Sequence, residues 1–170
     1  PLYILGSSLF GAQLAAHLGL PYSFASHFAP AALTQAVQVY RDNYQPSERH
    51  PEPYVIAAVN VTAADSQEEA DEQWRQVCRN RVRVMAGRGR SLTEEELDML
   101  IDSPAGQQIL DMLRYSAVGT RDVVCRYLEE FRTHAQADEL MVSLQSPSTA
   151  ESLRSMEILA DAASLSPAQH

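Results

Sequence analysis

Short apolar runs alternate along the chain with segments in which apolar residues recur at helical spacing. Four runs rich in apolar, β-branched and aromatic residues predict buried strands at 2–5, 22–25, 54–62 and 139–144. The third run is almost continuously apolar, which is typical of a strand covered on both faces. Because helical segments separate the strands, we predict an α/β fold with a parallel sheet and right-handed crossovers.

Helical patterns fill the segments between and after the strands. We predict helices from Leu9 to Leu18, from Pro30 to about Tyr44, from Asp65 through Arg83, from Thr93, from Ser103 to about Tyr115, from Gly119 past Phe131 and from Ser148 past Leu159. The long helix after the third strand carries acidic residues first and arginines later, an order that complements the helix dipole. We therefore interpret its arginines as a solvated helix face, with a binding patch as the alternative.

Residues 87–118 break the alternation of strands and helices. They begin with a basic, glycine-rich turn at 87–90 and continue into two short helical patterns. This excursion is longer than ordinary connections, and such segments often form lids or binding loops. We therefore assign 1–163 to one βα domain with 87–118 as an insertion or lid, and 164–170 to a polar, frayed tail.

Four parallel strands fit two architectures. One is an open four-stranded sheet, and the other is half of an eight-stranded βα barrel. The pattern of the sequence leaves both open.

Composition and charge exclude several classes of reaction and binding partner. The 170 residues include 22 acidic and 13 basic ones, for a net charge of −9, which argues against nucleic acid as a main partner. All the basic residues are arginine, so Schiff-base chemistry and a phosphate-loop lysine are excluded. Cys78 and Cys125 show no metal-ligand spacing, so we expect no metal. With no apolar stretch near the ~20 residues of a membrane span and no signal segment, we expect a cytoplasmic protein without a membrane partner.

The best local candidate for function is the turn Gly6-Ser7-Ser8 between the first strand and the first helix. Glycine lets an anion approach the backbone, while the helix N-terminus offers N–H groups and the serines offer hydroxyls. The alternative is ordinary helix capping by serine.

A second candidate is His27, which follows the second strand at the end where α/β folds place their sites. The alternative is a structural histidine.

The first block of the sequence resembles the luciferase-like, flavin-dependent monooxygenases. The resemblance is carried by residues 5–30, which read LGSSLFGAQLAAHLGLPYSFASHFAP. Further matches follow at Tyr40-Arg41, Pro46-Ser47, Pro53-Tyr54-Val55, Val59-Asn60-Val61, Ala64-Asp65 and Val118-Gly119-Thr120. The resemblance spans essentially the whole chain, but it covers only the C-terminal half of the family's sequence.

The resemblance implies a fold and an activity. The family fold is an eight-stranded βα barrel, in which the four predicted strands would be the fifth to the eighth and residues 87–118 an insertion folded over the site. The family uses reduced FMN and O2 to oxidise organic substrates such as long-chain aldehydes, alkanes or sulfonates. The resemblance also allows a flavin reductase as a partner, and a deazaflavin in place of FMN.

The resemblance also implies site residues. Gly6, Ser7 and Ser8 would contact the FMN phosphate, with Phe10 close to the same turn; some relatives have tyrosine there, whereas phenylalanine cannot donate a hydrogen bond. The segment Ser26-His27-Phe28 would lie near the flavin or the substrate. The family's catalytic residues lie largely in its first four strands, so those of this chain remain unknown.

Those first strands have no counterpart in this sequence. The chain is therefore either part of a longer flavin-dependent monooxygenase or one half of a site that another chain completes. Alternatives are a non-catalytic half-barrel that serves as a flavin-binding or interaction module, and an unrelated open α/β domain. Because half a barrel exposes sheet edges and an apolar inner face, we expect a homo-oligomer or a companion half-barrel.

Overall fold

A computed structural model of the protein describes residues 2–87 and 89–163. The predictions that concern Arg88 in the basic turn and the frayed tail at 164–170 fall outside these residues.

Parallel strands alternate with helices, as predicted. The strands are β1 (Ile4–Gly6), β2 (Tyr22–Phe24), β3 (Val55–Ala63), β4 (Ser116–Gly119) and β5 (Glu139–Leu144). The helices are α1 (Leu9–Leu18), α2 (Leu33–Asp42), α3 (Gln67–Gly87), α4 (Glu94–Asp102), α5 (Pro104–Asp111), α6 (Arg121–His134) and α7 (Thr149–Ala162), and a 3-10 turn at Pro30–Ala32 precedes α2. In the described part of the chain, no helix is both long and apolar enough to cross a membrane.

The prediction of four strands is wrong, because β4 lies at the end of the segment that we assigned to the insertion. It pairs in parallel with the second half of β3, from Asn60 opposite Ser116 to Ala63 opposite Gly119. Its sequence, Ser-Ala-Val-Gly, has a single β-branched residue and alternating burial, so it does not stand out as an apolar run. The helical part of the insertion is therefore α4 and α5, and the sheet resumes at Ser116.

The chain forms two compact units, and the first comprises residues 1–59 and 128–143. Within it, β1 pairs in parallel with β2, and β2 pairs in parallel with the first half of β3. Tyr22, Phe24 and Tyr40 are fully buried beside this part of the sheet, and the rings of Tyr22 and Tyr40 lie 5.4 Å apart. These rings fill the core between the sheet and helices α1 and α2.

Hydrogen bonds to polar side chains hold the start of β3 in place in the first unit. Asp138 accepts hydrogen bonds from the backbone N–H of Val55 at 2.8 Å and from Arg41 at 2.9 Å. The hydroxyl of Tyr40 donates to the carbonyl of Leu20 at 2.9 Å and accepts from the N–H of Tyr54 at 3.1 Å. Burial raises the pKa of Tyr40 to about 12, so this hydroxyl keeps its proton at physiological pH.

Of the described residues, the second unit comprises 60–87, 89–127 and 144–163. Its α7 is held to the end of β3 by Ser155, whose buried hydroxyl accepts from the N–H of Ala63 at 3.0 Å. Thr93 and Glu96 form a capping box at the start of α4, as the sequence S/T-x-x-E pattern requires. These contacts satisfy backbone groups that burial would otherwise leave without partners.

Gly119 is the last residue of β4, where the chain has returned to the sheet after α3, α4 and α5. Its φ is +150°, and a Cβ added there would lie 2.6 Å from Oε1 of Gln67 and 2.8 Å from Cγ1 of Val123. Only glycine fits this position, because any side chain would collide with the first residue of α3 and with α6. The start of α3, the end of β4 and helix α6 therefore meet at this residue.

Candidate functional site

The turn Gly6-Ser7-Ser8 lies between the end of β1 and the start of α1, as predicted. Ser7 and Ser8 are exposed. Ser8 occupies the N-cap position with extended backbone angles (φ −144°, ψ 164°), but its side chain forms no capping hydrogen bond. The hydroxyls of the turn and the first N–H groups of α1 are thus placed to meet a ligand.

Tyr22 holds the backbone of this turn through a hydrogen bond, a role that was not predicted from the sequence. Its hydroxyl donates to the carbonyl of Ser8 at 3.1 Å, and its ring is fully buried. Burial raises the pKa of Tyr22 to about 12, so the phenol remains a donor. The available signal was a tyrosine in a buried strand, because a buried phenol needs a hydrogen-bond partner.

Gly6 is enclosed by its neighbours. A Cβ added to it would lie 3.5 Å from the Cα of Gly11 and 3.5 Å from the ring and hydroxyl of Tyr22. A methyl group would therefore make ordinary contacts, whereas a branched side chain would have to find room between α1 and Tyr22. Phe10 lies in the first turn of α1 and is 72% exposed, so its ring is not part of the core.

The second predicted segment lies beside this turn. The N–H of Ala25 donates to the carbonyl of Gly6 at 2.9 Å, which brings the carboxyl ends of β1 and β2 together. His27 and Phe28 follow, with their rings 5.2 Å apart in an edge-to-face arrangement, and Phe28 is exposed. The structure thus brings the two predicted segments to one edge of the sheet.

Ser26, which we predicted to lie near the flavin or the substrate, is fully buried, and its hydroxyl donates to the carbonyl of Ala58 in β3 at 2.5 Å. This hydrogen bond joins the end of β2 to β3, so Ser26 also has a structural role.

In the two described ranges, no group of three or more His, Cys, Asp or Glu side chains is placed to hold a metal ion.

The luciferase-like monooxygenase family profile matches residues 1–138. The chain is 36% identical over 163 residues to a luciferase-like monooxygenase of Escherichia coli strain K12, covering 95% of this chain and 49% of that protein. It is 35% identical over 163 residues to the uncharacterized protein YvbT of Bacillus subtilis strain 168, covering 95% of this chain and 48% of that one. The chain therefore belongs to the luciferase-like monooxygenase family, and it spans about half the length of these relatives.

Solved structures agree with this assignment. The apo form of MsnO8 superposes with a TM-score of 0.77 at 31% identity, over 98% of this chain and 52% of that one. Two structures at 16% identity share the fold. One is the oxygenating constituent of 3,6-diketocamphane monooxygenase from Pseudomonas putida in complex with FMN, with a TM-score of 0.57 over 92% of this chain and 46% of that one. The other is the coenzyme F420-dependent tetrahydromethanopterin reductase of Methanopyrus kandleri, with a TM-score of 0.56 over 91% and 48%.

We predict that Ser26→Ala lowers the free energy of unfolding by about 1–3 kcal/mol, because the buried carbonyl of Ala58 loses its side-chain donor. Urea unfolding of the intact protein measures this change. The exposed variant Ser7→Ala is the control and should lie within about 0.5 kcal/mol of the unsubstituted protein. Equal stability of the two variants would show that the Ser26 hydroxyl does not support the sheet.

Proposed function

We propose that this chain is the C-terminal half of a flavin-dependent monooxygenase that oxidises an organic substrate with reduced FMN and O2. The observation that carries the proposal is the Ser8 N-cap, which leaves its hydroxyl and the helix N-terminus without a capping bond. Membership of the luciferase-like monooxygenase family supports the same hypothesis of a flavin-dependent monooxygenase.

The residues of the turn fit a phosphate group. Helix α1, like α2 and α5, has no acidic residue in its first turn, whereas α3, α4, α6 and α7 each have at least one. In a chain with a net charge of −9, this leaves the α1 N-terminus as a favourable place for an anion. Ser7 and Ser8 would donate hydroxyl hydrogen bonds to the phosphate, and Tyr22 would hold the Ser8 carbonyl away from it.

Reduced flavin, when bound, supplies the electrons with which O2 is activated for transfer of one oxygen atom to the substrate. The residues of this chain bind and orient the phosphate end at Gly6, Ser7 and Ser8. His27 and Phe28, at the neighbouring strand end, would line the adjoining flavin or substrate region. FMN is our proposal, and a titration with F420 distinguishes it from the deazaflavin alternative.

We predict that the double variant Ser7→Ala/Ser8→Ala weakens FMN binding by roughly 1–3 kcal/mol, because hydrogen bonds to a charged group are lost. Gly6→Val should abolish binding, because a branched side chain has to find room between α1 and Tyr22 and so displaces the turn that binds the anion. Fluorescence titration of the intact protein with oxidised and reduced FMN measures both effects.

Ser148→Ala is the matched control for the double variant. Ser148 is also a helix N-cap, but its hydroxyl accepts from the N–H of Glu151 at 3.3 Å. This variant should lose about 1 kcal/mol of stability and keep its FMN affinity. If the double variant keeps full affinity, these hydroxyls are not part of the phosphate site.

A second function class is a non-catalytic flavin-binding or interaction module. Oxygen consumption by the intact protein with reduced FMN separates the two classes. Flavin binding without turnover of any organic substrate would favour the module.

We predict that deleting residues 89–112 uncouples the reaction. The deletion removes α4 and α5 but leaves β4, and we propose that these helices exclude water from the site. Flavin binding should persist while O2 is diverted to hydrogen peroxide, measured as product formed per flavin oxidised. Thr93→Ala, which breaks the α4 capping box, should shift the yield less and in the same direction. An unchanged yield in the deletion variant would contradict the lid.

We also predict that the chain self-associates or requires a companion half-barrel. In the first unit, Leu5 on β1 and Met141 on β5 are 72% and 52% exposed. Each Å² of apolar surface left in water costs about 25 cal/mol. The free energy lost by exposing a few hundred Å² is therefore large compared with a net folding stability of ~5–15 kcal/mol.

Sedimentation equilibrium of the 170-residue chain tests this assembly. Leu5→Glu/Met141→Glu should weaken self-association, whereas Met99→Glu, on the exposed side of α4, should leave it unchanged. A well-folded monomer at micromolar concentration would contradict the prediction.

A further inference from the structure

The second unit contains a cleft of about 720 Å³ between helix α3 and the loop that follows β5. Arg81 and Met85 of α3 line one wall, and Gln145, Ser146 and Pro147 line the other. The loop leaves the carboxyl end of β5, which is the end where βα proteins place their ligand sites. The proposed phosphate turn is not among the lining residues, so the cleft is a separate feature.

Among the arginines that line the cleft, Arg81 is the one whose guanidinium is not paired with a carboxylate of the described residues. Two other arginines line the cleft, but Arg79 pairs with Glu94 and Asp98, and Arg83 pairs with Glu94 at 2.9 Å. Arg81 forms no ion pair within 4.0 Å with any carboxylate of the described residues. Its guanidinium donates to Oε1 of Gln145 at 3.4 Å, a long and neutral contact. Glu94 also lines the cleft, but its two oxygens are paired with Arg79 and Arg83. An anion entering the cleft would thus meet, at Arg81, a guanidinium that is not paired with a carboxylate of the described residues.

Ser146 gives a second, independent indication of a ligand. Its hydroxyl is buried and has no hydrogen-bond partner within the described ranges. Buried hydroxyls in native proteins are usually paired, because an unpaired one costs free energy. Ser146 and Arg81 line the same cleft, so one anionic group could accept hydrogen bonds from both once the Ser146 hydroxyl rotates about χ1 toward the cleft.

The cleft also offers apolar surface. Val77, Val84 and Pro147 line it together with Met85, and the side chains of Val84 and Met85 are exposed. A ligand with one oxyanion group and an apolar body therefore fits the composition of the walls better than an inorganic anion does.

We propose that this cleft binds a small organic anion, with its oxyanion group held by Arg81 and Ser146 and its apolar body against Val77, Val84 and Met85. For Arg81, the proposal follows the alternative of the sequence analysis, in which the arginines of α3 contribute to a binding patch. Binding requires neither flavin nor O2, so this inference can hold or fail separately from the proposed function.

Calorimetric titration of the intact protein, without flavin, tests the site with octanoate. Octane-1-sulfonate tests whether other oxyanions are accepted, and octan-1-ol is the neutral control with the same apolar body. We expect saturable octanoate binding at least about tenfold tighter than octanol binding. Equal affinities for octanoate and octanol, or no octanoate binding at millimolar concentration, would overturn the proposal without any variant.

Arg81→Gln should weaken octanoate binding about tenfold or more and leave octanol binding unchanged. Arg126→Gln, which removes an exposed arginine of α6 in the same unit, is the matched control and should bind octanoate normally. Arg81→Lys keeps the charge and should retain part of the affinity. Equal octanoate affinity of the Arg81→Gln and Arg126→Gln variants would overturn the assignment of Arg81.

Ser146→Ala separates a ligand-binding role from a structural one. Because the hydroxyl has no protein partner in the described part of the chain, its removal should leave the melting temperature unchanged or raise it. The same variant should weaken octanoate binding several-fold. A lowered melting temperature with normal octanoate binding would show that Ser146 is structural and would overturn its role in the site.

Discussion

The nine consecutive buried residues of β3 are the constraint on which the rest of the fold depends. A strand buried on both faces can be stable only where other elements satisfy its backbone groups and cover its side chains. In the first unit, β2 pairs with β3 and Asp138 binds the N–H of Val55. In the second unit, β4 pairs with β3, and Ser155 binds the N–H of Ala63. The positions of the neighbouring strand ends, and so of the candidate sites, follow from these contacts.

Local electrostatics favours anions at the two candidate ligand sites, although the chain as a whole carries a net charge of −9. The α1 N-terminus carries no acidic residue in its first turn, and Tyr22 holds the Ser8 carbonyl. The cleft in the second unit contains Arg81, which is not neutralised by a described carboxylate, whereas Arg79 and Arg83 are paired. Both places therefore favour anions, although one relies on backbone dipoles and the other on a guanidinium.

The sequence predicted those features that depend on long or local patterns. The apolar run of β3, the alternation of strands and helices, and the Gly6-Ser7-Ser8 turn each follow from neighbouring residues. The strand β4 was missed because its sequence, Ser-Ala-Val-Gly, is not a run of large apolar residues, and it pairs with Asn60–Ala63 in the middle of the chain. The structural role of Ser26 and the support from Tyr22 were missed because each depends on a partner distant in sequence. Burial and hydrogen bonding across strands cannot be read from spacing along the chain.

The contacts of Gly119 bear on how the chain tolerates changes in length between α3 and β4. Gln67 at the start of α3 and Val123 in α6 both lie against Gly119, while β4 fixes the return of the chain to the sheet. The cost of closing a loop grows only slowly with its length. Insertions or deletions between these two anchors therefore cost little in loop closure, whereas a change at Gly119 itself disturbs both anchors at once.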